Sequence, residues 1–427
     1  MPRIVHIGLG NFHRAHQAWY TAQANDGWQI TGIVMRNAAL FETLCAQNGA
    51  YALAIRGPNG LRVEHINLHD RLLLACENSA GVIAAIADQQ TEIVTLTITE
   101  KGYCLRDGVL DLSHPDIAAD LASSTPRSAI GLLAQGLAMR FKRGASPLTV
   151  MSCDNVAANT RTLSNALDDF GRAASLTYDP ANAYADTMVD RITPATSDAI
   201  AAEIAAAGGM GQAPVLTEAF SDWVIEDRFA ASRPDWEAAG AEIVPDVAPY
   251  EMRKLRMLNA AHSYLAYAGQ LTGLRFVHEA IADAQLCAGV NRLWDEAATT
   301  LPAGVLSGLP AYRAALVSRF SVPEMRHELA QIAMDGSLKL RERILPIITA
   351  RGAKNAPQAI ETIAIWMTWL ARAFARNDKV HDAHEPDLRN AITGKDTKAQ
   401  AEALAAWLGI PECAGAISKA ALESGCD

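Results

Sequence analysis

The N-terminal segment joins an apolar strand directly to a glycine turn and a helical pattern. Residues 3–7 read RIVHI, which is typical of a buried strand, and residues 8–13 continue as GLGNFH. Strand, glycine turn and helix in this order predict a dinucleotide-binding turn in an open α/β sheet. Gly8 would permit the tight turn, and Gly10 the close approach of a pyrophosphate resting on the helix N-terminus. His13 stands where a third glycine is usual, so the motif is incomplete and leaves a plain strand–turn–helix open.

The length and charge of the chain limit what it can be. A chain of 427 residues exceeds one ordinary hydrophobic core and predicts two domains. Its 37 basic and 47 acidic residues give a net charge of −10, with no basic footprint for nucleic acid or a membrane surface. No apolar stretch approaches the roughly 20 residues that cross a bilayer. The segment IVHIGLG lacks a charged leader and a cleavage site, which favours a strand over a signal peptide.

The cysteines favour reduced thiols over a structural cluster. They are odd in number and form no CxxC pair. The seven are Cys45, Cys76, Cys104, Cys153, Cys287, Cys413 and Cys426. This usage fits a cytoplasmic protein without a disulfide frame or a zinc cluster. The histidines show no HExxH or other ligand spacing, so we predict no metal site.

A second strand pattern, residues 29–35, bears on the choice of cofactor. It ends in Arg36 and Asn37, where an NAD site commonly has an acidic residue, and no carboxylate is evident for the ribose hydroxyls. Arg36 would either meet a 2′-phosphate and favour NADP, or stack beside an adenine and be neutral on the choice. The sequence leaves both open.

Two further strand patterns end in polar residues. Residues 92–99 lead into Glu100, and residues 148–151 lead into a Ser-Cys-Asp-Asn run that ends at Asn155. Open α/β sheets bind ligands beyond the carboxyl ends of their strands, which makes both residues candidates for the site. The alternative for each is a loop residue that caps the next helix.

The residue pattern changes at about position 246. Before it, branched apolar runs alternate with helical patterns; Asp190 falls at a strand end facing the crevice, and residues 217–223 form an edge segment. After it, Ala, Leu, Arg and Glu dominate, and helix breaks recur at Gly and Pro. We therefore predict an α/β fold, with a Rossmann-type doubly wound sheet over residues 1–245 and a mostly α-helical domain over residues 246–427.

Residues 254–262, KLRMLNAAH, gather polar groups inside an apolar helical run. At 100° per residue, Lys254, Asn259 and His262 fall within an arc of about 140°, with Glu251 one turn upstream. The apolar neighbours predict a low dielectric, which lowers the pKa of a lysine and suits it to act as a base. The alternative is a lysine that snorkels from the helix while the asparagine and histidine are satisfied core groups.

Six motifs in order resemble one family. They are GLGNFHRAHQ, TITEKGYC, SCDN, VDRITP, KLRMLNAAHS and AQIAMDGSLK, and the resemblance that they carry runs from residue 4 to beyond 340. Together they resemble the mannitol dehydrogenase family, long-chain polyol and uronate oxidoreductases that work without metal. The resemblance favours the functional interpretation of the lysine, asparagine and histidine.

The resemblance also implies catalytic roles. Lys254 is similar to the family's catalytic lysine, the general acid/base that takes the hydroxyl proton during oxidation. Asn259 and Asn155 would bind the substrate oxygen and stabilise alkoxide character. His262 would hydrogen-bond the substrate and orient the lysine.

Further roles follow from the same resemblance. Glu251 and Asp190 would relay the proton, and Lys339 would contact substrate. The cofactor, NAD with NADP possible, would take the hydride and be held by a set of N-terminal residues. These are Gly8, Gly10, Asn11, Phe12, Arg36 and Glu100.

The substrate class rests on finer likenesses. The forms EKGYC, VIEDRF and H-x3-QIAMDGS resemble the D-mannonate oxidoreductase (fructuronate reductase) branch, and Gln331 stands where the polyol branch tends to carry arginine. A uronate carboxylate would be bound by Arg326, Lys339 or Arg341. Against this, Leu338 and Arg341 replace the Gln and Pro common around that lysine.

Three functions therefore stay in view. The first is an oxidoreductase acting on a secondary alcohol of a sugar acid. The second is a polyol dehydrogenase interconverting mannitol or arabinitol with its ketose. The third is a nucleotide-binding redox sensor without turnover, which would not need the base. The expected ligand is a small sugar acid or sugar alcohol, and the oligomeric state is open.

Overall fold

The computed structural model describes residues 1–57 and 60–423. The chain divides into an N-terminal unit, Met1–Ala248, and a C-terminal unit that begins at Pro249. The predicted division after residue 245 stays a prediction. Cys426 lies outside the described residues.

The N-terminal unit alternates strands and helices. Its described strands are β1 (Arg3–Ile7), β2 (Gln29–Val34), β3 (Tyr51–Gly57), β4 (Gly60–Ile66), β5 (His69–Leu74), β6 (Thr91–Leu96), β7 (Leu105–Arg106), β8 (Val109–Leu110), β9 (Thr149–Ser152), β10 (Ala183–Tyr184), β11 (Thr187–Asp190), β12 (Val215–Glu218), β13 (Asp222–Glu226) and β14 (Glu242–Val244). Its helices are α1 (Asn11–Ala15), α2 (Gln17–Ala24), α3 (Ala38–Ala46), α4 (Ser79–Ile86), α5 (Pro115–Leu121), α6 (Ala129–Lys142), α7 (Asn159–Ala174) and α8 (Asp198–Ala206). Short 3₁₀ turns occupy Glu100–Tyr103 and Trp236–Ala239.

A parallel sheet forms the centre of this unit. Its described strands run in the order β10, β9, β6, β1, β2, β5, and Ile7 of β1 is aligned with Leu96 on one side and Ile33 on the other. The predicted strand 92–99 stops at Leu96, because the chain turns away where Thr99 takes a positive φ of 63°. The first, second and fourth predicted strands are found at or within one residue of their expected bounds.

Both faces of the sheet are covered. Consecutive strand residues point to opposite faces, so Val94 and Ile93 join different clusters. The first cluster packs against α4, α6 and α7, through side chains such as Leu133. The second packs against α2 and a group of aromatic rings that includes Trp223 and Trp236. The predicted doubly wound α/β architecture is thereby confirmed.

Smaller sheets flank the central one and were not predicted. β3 pairs antiparallel with β4 and parallel with β12, while β13 pairs antiparallel with β11 and parallel with β14. The predicted edge segment 217–223 therefore belongs to two sheets, since β12 ends at Glu218 and β13 begins at Asp222.

The C-terminal unit is helical, as predicted. Its described helices are α9 (Ala248–Arg253), which begins at the boundary, α10 (Ala260–Leu271), α11 (Val277–Ala282), α12 (Ala284–Ala298), α13 (Leu309–Phe320), α14 (Leu329–Ile332), α15 (Gly336–Arg343), α16 (Leu345–Arg351), α17 (Pro357–Ala375), α18 (Glu385–Ile392), α19 (Thr397–Leu408) and α20 (Ala414–Glu423). A π-helical segment, Lys254–Asn259, joins α9 to α10. Short 3₁₀ turns occupy Ala303–Val305, Pro323–Met325, Ala353–Asn355 and Pro411–Cys413.

Two helices make the core of this unit. Residues 260–269 of α10 are buried on all sides of the helix, and α17 packs along it. The last two described helices, α19 and α20, pack together. Across the described ranges, no helix combines the length and apolar character that a membrane span requires.

Candidate active site

The glycine turn after β1 depends on Gly8. This residue has φ +97°, and a Cβ built on it would lie 2.2 Å from the carbonyl oxygen of Thr97. Its backbone N–H donates to the Ile33 carbonyl oxygen at 3.0 Å, which fixes the turn against β2. A Cβ on Gly10 would meet no atom closer than 3.7 Å, so that glycine faces open space. Only a glycine fits at position 8, whereas position 10 keeps the backbone accessible.

A cavity of about 720 Å³ opens beside this turn, at the carboxyl ends of β1, β2 and β6. Ligands of open α/β sheets bind at this edge. Four of the predicted cofactor residues line it: Gly8, Gly10, Asn11 and Arg36. The N-terminal unit therefore offers a space of nucleotide dimensions where the sequence predicted one.

Two predicted cofactor residues lie elsewhere. Phe12 stacks on His16, with ring centroids 5.0 Å apart, and packs against the cluster that includes Trp223 and Trp236. Glu100 begins an exposed 3₁₀ turn, because β6 ends earlier than the sequence indicated. Neither is among the described residues that line the cavity. The strand-end position assigned to Glu100 was wrong, and its neighbours Thr99 and Lys101 line the wall instead.

Arg36 has a carboxylate partner that the sequence analysis missed. Its Nη2 lies 2.8 Å from Oδ2 of Asp116, and both residues line the cavity. Asp116 belongs to the first turn of α5, 80 residues further along the chain, so no local pattern reveals the pair. The cavity thus contains an acidic residue beside the arginine rather than an arginine alone.

Three buried histidines, His6, His13 and His69, form a cluster next to the glycine turn. The Thr97 hydroxyl donates to the Gly8 carbonyl oxygen at 3.0 Å, so its oxygen accepts from Nε2–H of His6 at 2.9 Å. His13 stacks on His6, with centroids 3.4 Å apart, and its Nε2 lies 3.0 Å from Nε2 of His69. His13 therefore fills, with a ring, the place where the usual motif has a third glycine.

The three imidazoles are held neutral. Burial lowers the pKa of His6 and of His13 well below the ordinary value, and the neighbouring imidazoles add to the effect. Burial lowers the pKa of His69 to about 3, with the charge of Arg14 acting in the same direction. A second proton on any of them would place a cation in a site without water.

The last two residues of the Ser-Cys-Asp-Asn motif after β9 lie in different environments. Asn155 is exposed on the loop that leads to α7. Asp154 is buried and accepts hydrogen bonds from the backbone N–H groups of Ile98 and Thr99, at 3.1 and 2.8 Å. It joins the ends of β6 and β9, a structural role that the sequence did not single out. Asp190 is buried at the end of β11, opposite Asp222.

The segment that carries Lys254 is not an α-helix, which corrects the prediction. It is π-helical from Lys254 to Asn259, and i→i+5 bonds replace the i→i+4 ladder. Residues five apart then fall on nearly the same side of the segment, so the π turn reduces the separation of about 140° that an α-helix would give Lys254 and Asn259. Lys254 and His262 keep only 9% and 8% of their surface exposed, and Asn259 and Glu251 are half-buried.

His262 lies among cationic side chains. Its ring centroid is 5.2 Å from that of His327 and 4.7 Å from that of Phe320. Burial lowers the pKa of His262 well below its ordinary value, and His327 and three cationic side chains add to the shift. The three are Arg319, Arg343 and Lys339. His262 is consequently neutral at pH 7 within a positive surrounding.

Burial and nearby positive charge also lower the pKa values of two residues beside His262, His327 and Lys339. Burial lowers the pKa of His327 to about 4, and burial together with the charge of Arg343 lowers the pKa of Lys339. The Lys339 ammonium donates to the Ile332 carbonyl oxygen at 3.1 Å. Sequence reasoning found Lys339 but missed Arg343, which lies one helical turn later on α15 and so on the same face.

Other predicted substrate residues lie apart from this cluster. Arg341 donates to the Trp407 carbonyl oxygen at 2.8 Å and covers the ring of that tryptophan. Arg326 is exposed, with its guanidinium 5.3 Å from the ring centroid of Phe276, and Gln331 is exposed on α14. Of the three side chains proposed for a carboxylate, the structure brings only Lys339 close to His262.

Metal-ligand and thiol groups are dispersed. Within residues 1–57 and 60–423, no three His, Cys, Asp or Glu side chains come together so as to hold a metal ion. The six described cysteines are free thiols.

Comparison with known proteins assigns both halves of the chain. The mannitol dehydrogenase Rossmann domain matches residues 2–238, and the mannitol dehydrogenase C-terminal domain matches residues 246–422. The D-arabinitol 4-dehydrogenase of Ralstonia nicotianae is 40% identical over 84% of this chain and 81% of its own. The D-mannonate oxidoreductase of Escherichia coli is 40% identical over 80% of this chain and 74% of its own.

A solved structure agrees with these relatives. The Pseudomonas fluorescens mannitol 2-dehydrogenase, in ternary complex with NAD and D-mannitol, superposes with a TM-score of 0.77. It is 30% identical and covers 98% of this chain and 91% of its own. The resemblance drawn from the six motifs is confirmed, and the chain belongs to the mannitol dehydrogenase family of oxidoreductases.

Proposed function

We propose that the chain is a metal-independent, NAD-dependent oxidoreductase that interconverts a secondary alcohol of a sugar acid, of the D-mannonate and D-fructuronate type, with its ketone. The observation that carries the proposal is the set of Lys254, Asn259 and His262 on one segment, bordered by cationic side chains. The relative named D-mannonate oxidoreductase supports the substrate class.

The N-terminal cavity fits a dinucleotide. Its volume, the glycine required at position 8 and the open backbone at Gly10 form a cradle that a side chain would fill. Arg36 and Asp116 lie at the part of the wall where a ribose would be recognised. NAD bound here would accept hydride from the carbinol carbon of the substrate and return it to the ketone.

The remaining chemistry belongs to the π segment. Lys254 takes the hydroxyl proton as the alcohol is oxidised and returns it as the ketone is reduced, and its burial keeps competing water away. The amide N–H of Asn259 stabilises the oxyanion that develops as hydride leaves. Neutral His262 offers one donor and one acceptor, so it can bind the substrate hydroxyl and orient the lysine. The roles predicted for Asn155, Asp190 and Glu251 stay predictions.

The cationic side chains around His262 favour an anionic substrate. A carboxylate beside Lys339 would make a charge-assisted hydrogen bond in a partly water-free site, where such bonds are strongest. It would also offset the mutual repulsion of Lys339 and Arg343, which share one face of α15. Asp335 and Asp382 already offset part of that repulsion, and a neutral polyol would leave the remainder.

A polyol is the second candidate substrate. The relatives named D-arabinitol 4-dehydrogenase and mannitol 2-dehydrogenase support it, and so does the position of Arg341, which is bound by Trp407 rather than near His262. A sensor without turnover is disfavoured, because a buried lysine costs stability that nucleotide binding alone would not require.

The test is the absorbance of reduced nicotinamide. NADH and NADPH are each mixed with the purified chain and fructuronate, tagaturonate, fructose or xylulose. We expect turnover with a uronate and NADH. Turnover of fructose or xylulose without either uronate would overturn the sugar-acid proposal in favour of the polyol one. Nucleotide binding with no turnover of any of the four would favour the sensor.

A variant of Lys339 tests the carboxylate contact separately. Lys339→Gln removes a charge-assisted bond of about 1.5–3 kcal/mol, so kcat/KM for the uronate should fall roughly 10- to 100-fold. This fall in kcat/KM should result from a higher KM for the uronate and not from a lower kcat. The control is Lys398→Gln on α19, where the lysine is exposed and its nearest carboxylate oxygen is 3.9 Å away, and it should match wild type. Unchanged KM for the uronate in Lys339→Gln would remove this residue from the carboxylate site.

A further inference from the structure

The segment that carries Lys254 departs from the helices on either side, so its shape needs support. Lys254–Asn259 is π-helical between α9 and α10. Such turns are rare within α-helices, because they widen the backbone and shift carbonyl groups out of the regular ladder. If these residues were α-helical, Lys254 and Asn259 would diverge by about 140°. The packing around the segment must therefore favour the wider turn.

Trp294 of α12 provides one support. Its indole Nε1–H donates to the carbonyl oxygen of Met257 at 2.9 Å, and both residues are fully buried. Met257 lies in the middle of the π segment, and its carbonyl oxygen also accepts from the backbone N–H of Ala260, so Trp294 adds a second donor from outside the helix. Trp294 has a single donor and directs it at this carbonyl.

Arg343 of α15 provides a second support at the end of the segment. Its Nη1 donates to the Asn259 carbonyl oxygen at 3.4 Å and to the Ser263 hydroxyl at 3.1 Å. These two acceptors stand on either side of the change from π to α geometry. Within the segment itself, Arg256 donates from Nη1 to the Thr300 carbonyl oxygen at 2.5 Å, just beyond the end of α12.

The three contacts come from different parts of the unit and converge on one short segment. Trp294 anchors it to α12, Thr300 to the turn that follows α12, and Arg343 to the helix that also carries Lys339. A buried indole or guanidinium N–H needs an acceptor in any packing, and here both Trp294 and Arg343 find theirs on carbonyls of this one segment. We infer that Trp294 and Arg343 are positioning residues that hold the π turn, and so hold Lys254 and Asn259 together for proton transfer.

This inference rests on the proposed role of Lys254, and the experiment keeps the two separable. Trp294→Phe retains the ring and most of the volume but lacks the donor. With the full chain, NADH and whichever of the four ketones wild type reduces fastest, kcat should fall about tenfold or more, as expected for a misplaced base. KM for the ketone and for NADH should stay within about twofold. Amide hydrogen exchange over residues 255–263 should become faster.

The matched control is Trp236→Phe. This indole is equally buried and donates to the Thr21 hydroxyl at 3.0 Å in the N-terminal unit, and Trp236 is not among the described residues that line the cavity. The Trp236→Phe variant loses a comparable hydrogen bond outside the π segment. Its kcat and its amide hydrogen exchange over residues 255–263 should therefore match wild type. If both tryptophan variants lowered kcat equally, general destabilisation would explain the loss and the inference would fall.

Arg343→Lys gives a second route if Trp294→Phe does not fold. The charge remains, but a single ammonium cannot span the two acceptors, so kcat should again fall while both KM values hold. Wild-type kcat and unchanged exchange over residues 255–263 in either folded variant would overturn the inference. Lys254→Ala decides the other question, since turnover retained there would remove the lysine as base and with it the proposed mechanism. Lost turnover in Lys254→Ala with full turnover in Trp294→Phe would leave the mechanism and remove only the positioning role.

Discussion

Lowering the pH from 7 to 5 should destabilise the N-terminal unit through the histidines beneath the glycine turn. His6, His13 and His69 have pKa values that burial lowers below the ordinary 6.5, and that of His69 is about 3. The unfolded chain takes up protons at these groups as the pH falls through 6.5, whereas the folded chain does not. The stability that these three histidines contribute is therefore fully present above about pH 7.5 and is lost progressively as the pH falls.

The size of this loss of stability depends on how far the pH lies below 6.5, the ordinary pKa of histidine. At pH 5 each unfolded histidine is 1.5 pH units below that value, which is worth about 2 kcal/mol per group, or about 6 kcal/mol for the three. A typical domain has about 5–15 kcal/mol of total stability. Burial raises the pKa of Asp154, which acts in the opposite direction because the folded carboxyl then holds its proton more strongly than the unfolded one. The net loss is thus an amount that ordinary denaturation measures.

The assay is urea unfolding followed by circular dichroism at pH 7 and pH 5, for wild type and His13→Gln. The variant has one fewer neutral imidazole, so its pH 7 to pH 5 difference in unfolding free energy should be smaller by about 2 kcal/mol, whatever its stability at pH 7. His65→Gln is the control, because this histidine is exposed on β4 and should leave the difference unchanged. Equal pH dependence in wild type and His13→Gln would refute the assignment of neutral imidazoles to this cluster.

Two further predictions concern the cofactor cavity. Asp116→Asn should improve the use of NADPH relative to NADH, because Asp116 pairs with Arg36 and repels a 2′-phosphate. Arg36→Ala should weaken the binding of NADPH more than that of NADH. Equal effects on both cofactors would dismiss this interpretation. Gly8→Ala should abolish NADH binding measured by fluorescence titration, because its Cβ would lie 2.2 Å from the Thr97 carbonyl oxygen. Gly27→Ala has a similar positive φ but no atom within 4 Å, so it should cost about 1 kcal/mol of stability and leave NADH binding intact.

Local sequence patterns predicted the parts of the fold that form from neighbouring residues. The run RIVHI followed by Gly8 specifies a buried strand and a turn within a dozen residues, and both are found. The apolar helices after 246 were equally predictable, because their periodicity is local. The hairpin of β3 and β4 was not predicted, although β4 alternates Leu61 and Val63 with Arg62 and Glu64, because so short an alternation does not identify the partner strand.

The parts that could not be predicted depend on distant partners. Arg36 and Asp116 are 80 residues apart, and His13 and His69 are 56 apart, so no spacing rule connects them. The π turn was missed for another reason, because apolar residues around Lys254 suit either helix type. Its one local signal is the five-residue separation of Lys254 and Asn259, which is out of phase with an α-helix and in phase with i→i+5 bonding.

The cationic surrounding of His262 can act at two stages of the reaction, and these are distinguishable. As hydride leaves the carbinol carbon, negative charge grows on its oxygen, and under the proposed function Lys339 and Arg343 would stabilise that charge for any substrate. A uronate also carries a charge before reaction, so for it the same side chains would strengthen ground-state binding. If they served only the alkoxide, Lys339→Gln would lower kcat for sugar and sugar acid alike; if they bind a carboxylate, it raises KM for the acid alone. The division between kcat and KM therefore identifies which anion the cluster binds.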